Sequence, residues 1–385
     1  MQVTIVSTIL GNGSILQEAG TGLALLLSKI KEIDHLDIIT WIKDSDERIS
    51  WSDKVNVYEV YSPKKPIGIF SVILKCITSK SDLFIFNLMP TAYGNSNFAN
   101  LFGLLTPVIL KIVFRRRISV LLHNSTHTHD FKKLGYEGIV NHFKSIILRI
   151  LEVLLLHSTE TNMLSNKYVK LIKTKYPKVR IRFLDLKYFQ VIGTLTLNNK
   201  FYTEYIDTKK NEVPRILMFG NWGPQKDPIP VLTNLRKLRD QGKEFFLTVA
   251  GGFNLHFSNK ANTFVNTFEN FEDVIDRRIG YVDEKDLLQL FLNTDLVLIS
   301  YNSPGGFSSV LALGMFFECQ IISTDFPEFR EQSENYKKIT FSKLDNLYNA
   351  ISDYLDSIHP SMNPRHIKIK ERMDEMMRNI NKIVK

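Results

Sequence analysis

The residues of this chain whose types and spacing suit chemistry sit in short glycine-bearing turns and at one strand end. One turn reads Ser303-Pro304-Gly305-Gly306-Phe307-Ser308-Ser309. It lies between a continuous apolar run, Leu296 to Ile299, and an apolar helical segment, Val310 to Phe317. Strand, glycine turn and helix in that order aim the backbone N–H groups of a helix N-terminus at an anion. The same glycines could serve only to turn the chain. A second turn follows the strand Val3 to Ser7, where Gly20 and Gly22 open a helix reaching about Lys31. It lacks the G-x-G-x-x-G fingerprint and a well-placed acid after the next strand, Leu36 to Trp41, so nucleotide contact and plain close packing are both open. The strand end is Ile118 to Leu122, continued by His123-Asn124-Ser125-Thr126-His127-Thr128-His129-Asp130. Three histidines and an aspartate invite a metal reading, but their spacing fits no zinc pattern. A histidine at a strand C-terminus either meets a substrate hydroxyl or caps a loop.

Strands and helices must hold these turns in place. Short apolar runs at Val55 to Val60, Leu83 to Leu88, Arg215 to Phe219, Phe245 to Ala250 and Gln320 to Ser323 read as strands. Helical periodicity fills the spaces between them: Ile69 to Thr78, Asn97 to Phe114 with an interruption at Pro107, Lys132 to Leu156, Lys285 to Asn293, and the tail after Asp345. Strands alternating with helices predict an α/β protein with parallel sheets. A length of 385 residues fits two domains of about 150–200 residues each.

The two cysteines, Cys76 and Cys319, lie in apolar settings without metal-ligand spacing, which predicts a disulfide-free, cytoplasmic protein. Met1 to Thr8 reads as a strand with no basic leader, so no signal peptide is expected. No apolar run reaches the roughly 18–20 residues of a membrane-spanning helix. The net charge of +9 falls wholly within residues 1–212. A basic half of this kind suits an anionic partner, whether membrane surface, substrate or nucleic acid, or is merely a soluble face. Nucleic acid is the poorest fit, because no reading module is present and aromatic residues are not interleaved with the basic ones.

The stretch Gly280 to Asp325 resembles the C-terminal half of GT-B glycosyltransferases, in particular the family 4-like group. Gly-Tyr-Val, an acidic helix, a buried strand, the Gly-Phe turn, an apolar helix and a closing strand with Thr324-Asp325 all match. The chain departs from that pattern where it bears on chemistry. The two glutamates of the E-x7-E motif fall on Gly305 and Leu313, and the arginine of the Gly-Arg-x-x-x-x-Lys turn falls on Asn221. Lys226 keeps the lysine position of that turn.

The resemblance implies two Rossmann-like domains facing a central cleft, at 1–207 for the acceptor and 208–365 for the nucleotide-sugar, with helix 366–385 packing back on the first. It implies a metal-independent hexosyltransferase that retains anomeric configuration, with no cofactor. His123 and Lys226 would be the catalytic residues, with Lys226 on the donor diphosphate. Gly20, Gly22, Asn221, Gly251, Gly252, Tyr301, Gly305, Gly306, Phe307, Ser308 and Ser309 would surround the donor, and Asn124 the acceptor. Acceptors of this group include sugars and lipid-linked or cell-surface glycan precursors, which fits a cytoplasmic protein lying peripherally on an anionic membrane. Two other readings compete: a non-catalytic GT-B partner, motivated by Gly305, Leu313 and Asn221, and a GT-B sugar-nucleotide epimerase. The sequence leaves oligomeric state open.

Overall fold

In this computed structural model the structure describes residues 1–8, 15–42, 51–62, 64–89, 93, 96–123, 125–127, 139–186, 188, 191, 205–207, 212–223, 225–226, 228–252, 276–280, 282, 284–303, 307–357 and 365–384. The chain divides into two compact units. One takes Met1–Lys132, Tyr136–Gly193 and Arg372–Lys385; the other takes Thr194–Glu371. Residues 205–207, placed in the first domain on sequence, lie in the second unit.

The first unit is a parallel sheet of β1 (Gln2–Val6), β2 (His35–Trp41), β3 (Val55–Tyr61), β4 (Leu83–Leu88), β5 (Ile118–Leu122), β6 (Glu160–Met163) and β7 (Ile181–Phe183). Their order is β3-β2-β1-β4-β5-β6-β7. β4 is buried at every residue, as expected of an apolar strand covered on both faces. One face carries α2 (Ile69–Thr78), α3 (Asn97–Ile112), α4 (Ile139–Ser158) and α5 (Asn166–Lys175). Val72, Leu104, Leu151 and Ile172 from these helices join Phe84, Phe86, Val120 and Leu122 of the strands in one apolar core.

Two helices differ from the sequence reading. α1 (Ile15–Ser28) begins before Gly20 and Gly22 and carries both in its interior. A Cβ on Gly20 would stand 2.1 Å from the Thr8 carbonyl oxygen, so glycine is required there by close packing and does not mark a helix start. α3 runs unbroken through Pro107. The proline removes only the N–H that would meet the Gly103 carbonyl, and the helix continues past that one missing bond.

The second unit has its own parallel sheet, with β9 (Arg215–Phe219), β10 (Phe246–Gly251), β11 (Asp276–Ile279), β12 (Leu296–Ile299), β13 (Gln320–Thr324) and β14 (Ile339–Ser342) in the order β11-β10-β9-β12-β13-β14. Helices α6 (Ile229–Asp240), α7 (Glu284–Leu292), α8 (Ser309–Phe316), α9 (Pro327–Gln332) and α10 (Leu347–Ser357) belong to this unit. An antiparallel ribbon, β8 (Tyr205–Asp207) with β15 (His366–Lys368), leads to α11 (Ile369–Val384). From residue 372 on, α11 belongs to the first unit, where Asn379 donates to the Asp185 carbonyl at 2.8 Å and Val384 accepts from Arg117 at 3.3 Å. Both cysteines are free and buried. Among the described residues no helix is long and apolar enough to cross a membrane.

Candidate active site

In each sheet the strand order reverses direction beside the first strand, between β1 and β4 in one unit and between β9 and β12 in the other. Ligands of open α/β sheets bind outside the carboxyl ends of the strands at such a reversal. Several of the sequence-predicted residues fall at these two places.

In the second unit the turn after β9 is held by Gly220 N–H on the Ala250 carbonyl (3.2 Å) and Trp222 N–H on the Gly252 carbonyl (2.7 Å). The Lys226 side chain folds back over Gly220, and its Nζ stands 4.6 Å from the centre of the Tyr301 ring beyond β12. An ammonium over a tyrosine face is held by the ring quadrupole. Tyr301 is buried, packs edge-on to Phe329, donates its N–H to Thr324 Oγ1 (3.1 Å), and places its hydroxyl 3.3 Å from Ser308 Oγ. The chain of contacts Lys226–Tyr301–Ser308 therefore joins the lysine turn to the start of α8.

Ser308 is the N-cap of α8. Its hydroxyl accepts the Leu311 N–H at 3.2 Å. Its own N–H is taken by Gln332 Oε1 (2.9 Å), and Gln332 Nε2 returns a bond to the Ser308 carbonyl (2.7 Å). Ser308 is thus committed to shaping the helix start. The donors that a helix start leaves for an anion are those of the following residues, Ser309 and Val310. Ser309 is buried, Phe307 half-buried and Asn221 exposed. Gly251 ends β10 and Gly252 follows it; Gly251 has φ +110° and abuts the Gly220 carbonyl. Leu313 is buried in α8, whose residues are all buried. Gly305, Gly306 and Asn124 lie outside the described residues.

In the first unit His123 follows β5 and is buried. Its Nε2 meets Asn87 Oδ1 at 2.6 Å, and Asn87 Nδ2 donates to Ser7 Oγ at 2.9 Å. The Ser7 hydroxyl in turn donates to the Thr8 carbonyl at 3.0 Å. Every donor in this relay has its direction set by the terminal carbonyl, so His123 carries its proton on Nε2. Burial lowers the pKa of His123 to about 4. A small cavity beside the relay is lined by Ser7, Thr8, Thr40, Trp41, Asn87 and Tyr93. The loop after His123 is anchored from below by Glu152 of α4, which accepts from the Ser125 hydroxyl and from the Thr126 N–H (2.7 Å). Burial pushes the Glu152 carboxyl up, against the opposing effect of these hydrogen bonds.

Asn87, Ser7, Glu152 and Gln332 escaped the sequence reading. The signal for two of them is present: Asn87 is the one polar residue of the strand Leu-Phe-Ile-Phe-Asn-Leu, and Glu152 the one carboxylate of an otherwise apolar helix stretch. Nitrogen-detected NMR should find His123 neutral and Nε2-protonated at pH 7, titrating near 4. The sign for stability follows. Because the folded pKa lies below the unfolded value of about 6.5, the contribution is whole above that value and is lost as pH falls towards 4. A midpoint near 6.5 would refute the burial assignment.

No family model and no curated protein matches the chain. Solved structures do. Sucrose-phosphate synthase (tll1590) from Thermosynechococcus elongatus is similar with a TM-score of 0.65 at 12% identity, covering 100% of this chain and 96% of that one. HepE (Alr3699) from Anabaena, in complex with UDP and glucose, gives 0.60 at 12% identity, covering 100% and 94%. UDP-GlcNAc 2-epimerase from Methanocaldococcus jannaschii gives 0.57 at 11% identity, covering 100% and 99%. At these identities the likeness establishes architecture, and with the two parallel sheets it gives the chain the GT-B fold.

Proposed function

We propose that this protein is a glycosyltransferase that moves a sugar from a nucleoside-diphosphate sugar to an acceptor hydroxyl with retention at the anomeric carbon. The observation that carries the reading is the Lys226 ammonium, held over Tyr301 at the strand-order reversal of the second unit and linked through Ser308 to the N-terminus of α8. A cation and a helix start brought to one place suit a diphosphate, whose negative charge grows as it leaves. Lys226 and the Ser309 and Val310 N–H groups are assigned to that leaving group. The departing phosphate oxygen is assigned the acceptor's proton, so no protein carboxylate is required as base. His123, buried and neutral after β5, is assigned a place beside the sugar. The acceptor is assigned to the class of sugars and glycan precursors, lipid-linked ones included.

The test is a panel of nucleotide sugars scored for released nucleoside diphosphate, with and without a chelator. One donor should turn over, at a rate unchanged by chelation. Loss of turnover with chelation would overturn the metal-independent part of the reading. A second reading has an observation of its own: Leu313 is buried among apolar neighbours where the related pattern has a carboxylate. Calorimetric donor binding without turnover would favour that non-catalytic reading. An epimerised nucleotide sugar without diphosphate release would favour the epimerase.

A further inference from the structure

We propose that the outer face of the first unit formed by α2, α3, α4 and α5 docks on the surface of an anionic lipid bilayer. These helices share one apolar core on their inner side, and they pack side by side, α2 on α3 and α3 on α4. The outer sides of α2, α3 and α4 therefore adjoin, and α5 meets them at one end, where His157 of α4 lies 5.8 Å from the ring of Tyr176, the residue that ends α5. On α4 that surface is apolar: Ile146, Ile147, Ile150 and Leu154 are 40–55% exposed, a stripe at helical spacing. On α2 Phe70 and Leu74 are exposed, and the Phe70 ring meets exposed Phe98 of α3 edge-on at 5.9 Å, which joins the two helices into one patch. Soluble monomers rarely leave so many large apolar side chains exposed on adjoining elements.

Charge selects the occupant. α2, α3 and α5 contain no aspartate or glutamate, and the one carboxylate of α4, Glu152, is 3% exposed and turned inward to Ser125 and Thr126. The cations lie outward: Arg149 on α4, and Lys167, Lys170, Lys173 and Lys175 on α5, are exposed. An apolar stripe flanked by lysine and arginine, with no exposed carboxylate among four helices, matches an interface where acyl chains adjoin anionic headgroups. Protein–protein interfaces are instead depleted in lysine relative to the rest of the surface. This surface is distinct from the residues assigned to donor and acceptor, so the proposal stands or falls separately from the reaction.

The experiment is flotation of the full-length protein with vesicles of phosphatidylcholine alone or with about 30% phosphatidylglycerol, at about 0.15 M salt. Binding to the anionic vesicles should be at least about tenfold tighter. Ile147→Glu with Ile150→Glu, both at exposed sites that tolerate a good helix former, should lower that binding about tenfold or more. Circular dichroism and turnover of soluble donor should be unchanged. Lys170→Glu with Lys173→Glu should lower it comparably. Wild-type protein that floats with neither vesicle, or apolar-face variants that float like wild type, would overturn the proposal. So would a self-associated wild type that these variants disperse without any vesicle binding, which would make the face an interface between copies of this chain.

Discussion

Lys226→Ala should lower turnover of the preferred donor by at least about 10-fold, since removing one donor aimed at a developing anion typically costs about 100- to 1,000-fold. Folding should change little. The side chain is half-buried, and its loss forfeits a cation–π contact of about 0.5–1 kcal/mol with Tyr301. Because the charge acts most when the leaving group carries its full negative charge, kcat should fall more than donor affinity. Lys226→Arg keeps the charge but replaces a compact ammonium with a planar fork, and should recover part of the activity. Tyr301→Phe keeps the ring beneath the ammonium and should be close to wild type, while Tyr301→Leu should move towards Lys226→Ala. An alanine variant with wild-type turnover would remove the leaving-group role, and with it the observation on which the function rests.

Much of the fold was legible because parallel strands buried on both faces leave an unmistakable trace. β4 reads Leu-Phe-Ile-Phe-Asn-Leu and β12 Leu-Val-Leu-Ile, short apolar runs that no surface element needs. What was not legible has specific causes. The start of α1 was misplaced because glycine usually punctuates a helix, whereas Gly20 is there to let the helix approach Thr8. The break read at Pro107 does not exist, since a buried helix tolerates one missing bond that tertiary packing offsets. In α4 the apolar residues go nearly all the way round, so periodicity could not tell that Leu151 and Leu155 face the core while Ile147 and Ile150 face outward.

The candidate sites divide along the same line. Lys226 and His123 are named as candidates through the family resemblance, and the turn before α8 through its glycines between a buried strand and a helix. The partners that orient them could not be read in either way. Asn87 reaches His123 from a neighbouring strand, 36 residues earlier in the chain. Gln332 clamps Ser308 from 24 residues later. Such pairs exist only once the sheet has set β4 beside β5 and α9 near the start of α8. They also change chemistry: Asn87 fixes the proton of His123 on Nε2, and Gln332 takes the Ser308 N–H out of the donors left for an anion.

Gly251→Val should be the most damaging single substitution in the second unit. A Cβ on Gly251 would stand 1.9 Å from the Gly220 carbonyl oxygen and 2.8 Å from its carbon. Both atoms are backbone, so no side chain can swing aside. Nor can the turn retreat, since the Gly220 N–H is bound to Ala250 (3.2 Å) and the Gly251 carbonyl accepts from Gly280 (3.0 Å). The φ of +110° adds backbone strain for any residue with a Cβ, most of all a β-branched one. Overlap and strain together should cost several kcal/mol, enough to lower the melting temperature by about 10 °C or prevent folding of the unit. Gly252→Ala is the control: the nearest atom lies 3.7 Å away, ordinary contact, so its melt should stay within about 2 °C of wild type. Because the Gly220 turn carries Lys226, any Gly251→Val protein that does fold should bind donor poorly as well. A folded Gly251→Val protein with the wild-type melt would mean that β10 does not run against Gly220 as described, and the lysine would then have no fixed place over Tyr301.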